Sequence, residues 1–139
     1  MNNEWLVLTG SLCLTLALLE AWVLVIVLTN PANGLAQRVL EVADLVKSHI
    51  DYLLMSLFLF VFYLLLSHFQ IHLHSLWVLS LCAGSLGNPA LFLIRALNPD
   101  LKPNPSPTFR LAMTASCILT TLGYLAGAWL VAASAFARL

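Results

Sequence analysis

Four stretches of this chain, roughly residues 5–28, 47–66, 75–97 and 109–137, are each long and apolar enough to cross a bilayer, and together they leave no room for a soluble domain. A transmembrane helix needs about 20 mainly apolar residues. Composition agrees. Hydrophobic residues make up 61% of the chain and charged ones only 9%, and a core of this size cannot hide that much apolar surface. In hydrocarbon the backbone must satisfy its own hydrogen bonds, so only helices or a closed barrel can span it. The spans are continuous and Leu-rich rather than alternating in period two, which disfavours the barrel. The expected fold is all-α: an integral membrane four-helix bundle forming a single transmembrane domain, with helices at about 5–28, 36–66, 75–97 and 109–137.

The first span is not expected to be a cleaved signal peptide. Met1-Asn2-Asn3-Glu4 lacks a positive n-region, and the apolar run is too long and carries Glu20. Orientation follows from the basic residues. An even number of spans puts both termini on one side, and that side with the second loop carries only Arg138. The first and third loops carry Arg38, Lys47, Arg95, Lys102 and Arg110. The positive-inside rule then places those two loops in the cytoplasm and both termini outside. The membrane expected is a bacterial inner (cytoplasmic) one, and no nucleic-acid partner is expected. Cys13, Cys82 and Cys117 fall on three different spans amid apolar neighbours. They read as small buried hydrophobes rather than a disulfide framework.

Two of the loops carry local signals. Asn30-Pro31-Ala32-Asn33-Gly34 ends the first helix with turn chemistry. Residues 35–47 then read as a helical segment, with Leu35, Val39, Val42 and Val46 as an apolar stripe and Gln37, Arg38, Glu41, Asp44 and Lys47 as its polar face. It is expected as a surface helix or an extension of the second span. The third loop, residues 98–107, has prolines too dense for any helix and should run extended across the cytoplasmic face.

Ionisable groups inside spans are costly and usually functional. Ser48-His49-Ile50-Asp51-Tyr52 runs straight into the apolar second span, so His49 and Asp51 sit at its mouth. At 1.5 Å of rise per residue, Glu20 lies about 12 Å inside the boundary of the first span and Asn88 about 13 Å inside that of the third. Ser116 falls at a similar depth on the fourth. A polar layer around a bundle-interior cavity is the expected arrangement. The small-residue run 83–90 permits close approach of the third helix, and Pro89 should kink it and free the carbonyl of Ser85. Each residue also has a plainer reading. Glu20 and Asn88 would serve as interhelical hydrogen-bonding groups, Asp51 would pair with Lys47 one turn earlier, and His49 would be solvated by headgroups. His68 and His72 have the i, i+4 spacing of a metal pair, a weak signal without a carboxylate or cysteine in the same loop.

The order Asn30-Pro31-x-x-Gly34-Leu35, then His49-x-Asp51 opening an apolar helix, then Gly87-Asn88 and Asn98-Pro99, resembles the small four-helix membrane isomerases, hydroxylaminobenzene mutase and styrene oxide isomerase. The correspondence covers about half the chain, residues 30–99. The resemblance implies a membrane homo-oligomer, a trimer, in which haem b held between protomers uses its iron as a Lewis acid to rearrange a small aromatic substrate. It makes His49 the axial ligand of the haem iron and Asn88 a pocket residue, with Asp51 where the mutase branch has a glutamate. The chain departs from the pattern at Met55, where an asparagine is expected, at Gly84, where the isomerase branch has an acid, and at Phe92, where a tyrosine is expected. Residues 35–47 are inserted. Styrene oxide itself is therefore not the expected substrate.

Helix geometry constrains what the retained residues can do. A carboxylate two residues on points about 200° round, so Asp51 cannot orient His49 within one chain. A neighbouring protomer, a backbone carbonyl or Glu20 must do so, and Tyr52, Glu20 or Asp51 would move a proton. Two other classes stand beside the isomerase. One is a non-catalytic small subunit or assembly factor of a larger membrane complex. The other is a small transporter or channel, for which repeated gating features are lacking.

Overall fold

The apolar spans fold as helices because no other local structure satisfies the backbone of a Leu-rich segment away from water. The structure, a computed structural model, describes residues 2–138. It contains α1 (Glu4–Thr29), α2 (Val42–His68), α3 (Ser75–Leu97) and α4 (Pro107–Phe136). All four are long and apolar enough to cross a membrane, and the described residues contain no strand. The protein is an all-α four-helix bundle of the integral membrane class.

Burial follows the solvent the bundle is built for. Large apolar side chains such as Leu8, Trp22, Leu64, Leu111 and Trp129 point outward, where acyl chains receive them at no cost. Buried on α2, by contrast, are Asp44, Ser48, Tyr52 and Ser56, spaced four apart. That spacing keeps them on one face, so the inward stripe of this helix is polar over half its length. Leu45, Leu59 and Leu66 complete the buried face.

α1 packs on α2 and also touches α3, whereas α4 packs on α3 and meets α2 through Tyr124, whose ring stacks edge-on with Phe58 and Phe62. Glycines set the α3–α4 seam. A Cβ on Gly84 would lie 2.6 Å from the backbone nitrogen of Thr120, and one on Gly123 would lie 2.9 Å from that of Leu81. The two backbones approach this closely only because neither position carries a side chain.

Local chemistry sets the ends. Ser106 caps α4 by accepting from the amide of Phe109, with Pro107 at the first helical position. His74 caps α3 in the same way for Leu76. α2 stops at His68 because Gln70 adopts φ 56°, and the Ile71 amide then donates to the Leu66 carbonyl at 2.8 Å, a left-handed cap. The stop separates His68 from His72, which lies in the loop, so their i, i+4 spacing is not realised on one helix face. His68 instead stacks edge-on with Phe69.

The first loop meets its sequence reading only in part, since residues 42–47 do extend the second span as the start of α2. Residues 35–47 do not form one helix: a 3₁₀ turn at Ala36–Arg38 is followed by extended backbone, and α2 begins at Val42. The amides of Leu40 and Glu41 both donate to the carbonyl of Ala96, at 2.9 and 3.1 Å. This carbonyl lies in the last turn of α3, where helices leave acceptors unmet. A tertiary bond thus outcompetes the local helical pattern. The proline-rich loop, expected extended, makes one 3₁₀ turn at Pro99–Leu101.

Cys13 and Cys82 are buried as expected, whereas Cys117, also expected buried, is exposed on the outer face of α4. A polar maleimide is expected to leave Cys13 and Cys82 unmodified in the folded protein, while a membrane-permeant one reacts first at Cys117. Mass spectrometry of the labelled chain reads this, and rapid labelling of Cys13 would reveal a water path between α1 and α3.

Candidate functional site

Three helices meet at Ser48. Its hydroxyl lies 2.7 Å from Glu20 Oε1 on α1 and 3.0 Å from the Pro89 carbonyl on α3. One hydroxyl proton faces two acceptors. A proton on Glu20 would let both contacts be hydrogen bonds at once, Glu20 donating to Ser48 and Ser48 to Pro89. Glu20 Oε2 has no hydrogen-bond partner among the described residues although it is sealed from solvent.

His49, next along α2, projects to α1. Its Nδ1 lies 2.9 Å from the carbonyl of Ala17, and a carbonyl can only accept, so Nδ1 carries the proton. In its neutral form the ring would present Nε2 as a lone-pair donor with its orientation fixed from behind, the arrangement that prepares a histidine for a metal. Of the orienting groups open to the sequence, the one found is a backbone carbonyl. Among the described residues no three His, Cys, Asp or Glu side chains converge. That excludes a set of three such ligands at His49 but not a pair, and a haem, whose porphyrin would supply four nitrogens, would ask a single histidine of the chain. On donor chemistry, His49 fits.

The remaining predicted residues are spread round the bundle. The Tyr52 hydroxyl is buried and lies 3.4 Å from the Leu86 carbonyl, a weak bond between α2 and α3. Asp51 is half-buried and has no ion-pair or hydrogen-bond partner among the described residues. Lys47, its expected mate, instead lies 3.7 Å from Asp44. Asn88 faces α4, where its Oδ1 lies 3.8 Å from Cys117 Sγ. Nearby on α4, Ser116 Oγ is buried without a partner among the described residues. So the polar groups do not enclose a single interior cavity. Glu20, Ser48, His49 and Tyr52 form a joint between α1, α2 and α3, while Asn88 and Ser116 belong to the α3–α4 seam.

Two cavities accompany these groups. One of about 340 Å³ is lined by Leu16, Glu20, Val39, Leu45 and Leu93, with Arg38 in its wall. The other, about 60 Å³, lies between α3 and α4 beside Asn88, Phe92, Arg95 and Cys117.

Sequence reasoning missed Ser48 as a partner and missed the pair that anchors this end of the bundle. Asp44, fully buried, accepts from Arg95 through Nε at 3.1 Å and Nη2 at 2.9 Å, joining α2 to α3 by a two-point contact. The polar face assigned to residues 35–47 placed Asp44 on a surface. A signal existed in the four-residue spacing of Asp44, Ser48, Tyr52 and Ser56, which marks a buried polar stripe on a helix whose other faces are apolar.

Fold and site together define a helical integral membrane protein with a hydrogen-bonded joint of three spans and an oriented histidine beside it. No protein-family model matches the chain, and comparison with curated proteins and with solved structures gives no match.

Proposed function

We propose that this chain is a membrane isomerase of the haem-assisted type, acting as a homo-oligomer, on the resemblance a trimer, on a small hydrophobic or aromatic substrate. The observation that carries the reading is the His49 ring, its Nδ1 proton committed to Ala17 and its Nε2 left to bind. A haem b bound there between protomers would supply Lewis acidity to a substrate oxygen without net electron transfer. The chain's own groups do the rest. The Ala17 carbonyl holds the tautomer and Ser48 fixes the Glu20 carboxyl on the neighbouring face. Tyr52 or Glu20 moves a proton. Asp51 and Asn88 would act at His49 only from an adjacent protomer, since within one chain they lie on other faces. We place the protein in a bacterial cytoplasmic membrane, with the first and third loops on the basic, cytoplasmic side.

A second reading has its own observation. Glu20 with Ser48, and Asp44 with Arg95, tie three helices together, and the two cavities described hold Glu20 or Asn88 but neither His49 nor Asp51. On that reading the polar groups are joints, and the chain is a non-catalytic small subunit or assembly factor of a larger membrane complex.

The absorption spectrum separates them. Protein purified from haem-replete cells should show a Soret band that disappears in His49→Ala while helical content and elution volume are retained. A colourless wild type sinks the isomerase reading, and stoichiometric co-purification of larger subunits supports the second.

A further inference from the structure

Arg38 is a cation without a counter-ion. At this end of the bundle Arg95 and Lys47 meet Asp44, and Lys102 meets Glu41. The Arg38 side chain is exposed and has no ion-pair partner among the described residues. It lines the 340 Å³ cavity, whose remaining wall is almost wholly aliphatic.

That cavity is a groove, open to one side. Its floor is Leu45 of α2, and its walls are Leu19 and Val23 of α1 and Leu93 and Leu97 of α3. Leu45 is 1% exposed, whereas Leu19 and Leu97 are 58% and 48% exposed, so the groove opens laterally between α1 and α3. Around a helical membrane protein the neighbours on that side are acyl chains. Glu20 is in the wall, but its Oε2 is sealed and takes no part. The groove is also ordered by depth. By helix rise, Leu16 and Val23 lie roughly 20 and 9 Å inward of the end of α1 at Thr29, and Arg38 lies in the loop beyond that end. Aliphatic lining within the membrane and a free cation at its surface repeat the order of parts in a phospholipid.

We infer that the α1–α3 groove binds one phospholipid with an anionic headgroup, an acyl chain lying along Leu19, Val23, Leu93 and Leu97 and the phosphate held by Arg38. A guanidinium matches phosphate oxygens with two parallel donors. A zwitterionic headgroup would bring its own cation to an already positive place, and an anionic one would not. The bonds from Leu40 and Glu41 to the Ala96 carbonyl tie the first loop to α3, which keeps Arg38 close to a fixed point. The groove between α2 and α4, at Met55, Phe58, Thr121 and Leu125, has no charged residue in its lining. It should take acyl chains without regard to headgroup.

The test uses the purified full chain in mixed micelles holding equal amounts of phosphatidylglycerol and phosphatidylcholine with identical acyl chains. Native mass spectrometry counts the lipids retained. The first phosphatidylglycerol is expected to bind about fivefold more tightly than the first phosphatidylcholine, the effect of one arginine on an anionic lipid at the membrane surface. Arg38→Gln should abolish that preference. Arg110→Gln removes another exposed, unpaired basic residue from the same end of the bundle and should leave the preference intact. Leu93→Trp fills the groove and should weaken both lipids; Leu19→Trp, at an exposed wall position, stands in if that variant fails to fold. Glycerophosphoglycerol, the headgroup without chains, should displace neither lipid. Equal retention of the two lipids by the wild type overturns the proposal, as does a preference that survives Arg38→Gln. An equal loss in Arg110→Gln would mean a diffuse basic surface, and displacement by the bare headgroup or unchanged binding in the Trp variants would mean an unseated chain; each overturns it too. The outcome is independent of the haem reading, since His49 is not in the lining and His49→Ala should keep the preference.

Discussion

Asp44→Ala is expected to destabilise the folded protein by about 3–5 kcal/mol, the usual cost of breaking a buried ion pair from one side. Asp44 is fully buried and Arg95 is 14% exposed at its side chain, so the substitution strands a guanidinium between α2 and α3. The Phe92 ring, 5.4 Å from that guanidinium, offers only partial compensation. Lys47 is the other cation near Asp44, but it is mostly exposed and gains solvent rather than losing a partner. Thermal unfolding in detergent, followed by far-UV circular dichroism, measures the loss. The double variant Asp44→Leu/Arg95→Leu should recover most of it, because removing both charges removes the desolvation cost along with the attraction. A double variant no better than the single one would show that the pair is held for something other than the stranded charge.

Gly84→Glu carries the second large effect, and it bears on the resemblance. The isomerase branch that the sequence resembles has an acid at this place, so the substitution would complete that pattern. The structure predicts disruption instead. A Cβ there meets the Thr120 backbone at 2.6 and 2.7 Å, contacts too short to be relieved by rotating a side chain. The helices must separate. Gly84→Ala alone is expected to cost about 1–3 kcal/mol as overpacking, against which a gain of about 1 kcal/mol in helix propensity works. Gly84→Glu should displace α4 from α3 altogether. Gly34→Ala is the control, since nothing lies within 4 Å of a Cβ there. Thermal unfolding of the three variants orders them, and a Gly84→Glu protein as stable as Gly34→Ala would mean that the α3–α4 spacing is looser than described.

The spans were legible because lipid imposes a length and an apolar character that any reader of the sequence can measure. α3, for instance, occupies the stretch 75–97 that hydropathy marks. The first loop was not, because the pattern of Leu35, Val39, Val42 and Val46 records only a preference for one-sided burial. The competing bond from Leu40 and Glu41 reaches a carbonyl more than fifty residues away. The candidate site shows the same division. Depth along the helix placed Glu20 and Asn88 near one level, since rise per residue is fixed. Direction round the helix decides whether they meet, and α3 turns Asn88 toward α4 while Pro89 beside it faces Ser48. The partner of Ser48 lies 28 residues off, and no local spacing encodes it. Departures from the isomerase pattern become intelligible in these terms too. Gly84 is small because Thr120 is there, whatever chemistry the neighbouring residues perform.

The packing of α4, whose backbone leans on α3 and which meets α2 through the Tyr124 ring, has a consequence for how the molecule is made. Synthesis delivers the helices in chain order, and α1, α2 and α3 already hold one another through Ser48, Asp44 and the Asn3 side chain, which grips the backbone of Ile71 and Leu73 from the start of the chain. α4, made after these three, is thus also the one on which they least depend. It arrives at a finished three-helix unit and docks along a ready-made glycine groove. Assembly order and mechanical hierarchy coincide, and detergent should peel the molecule apart in the reverse of the order in which it was built.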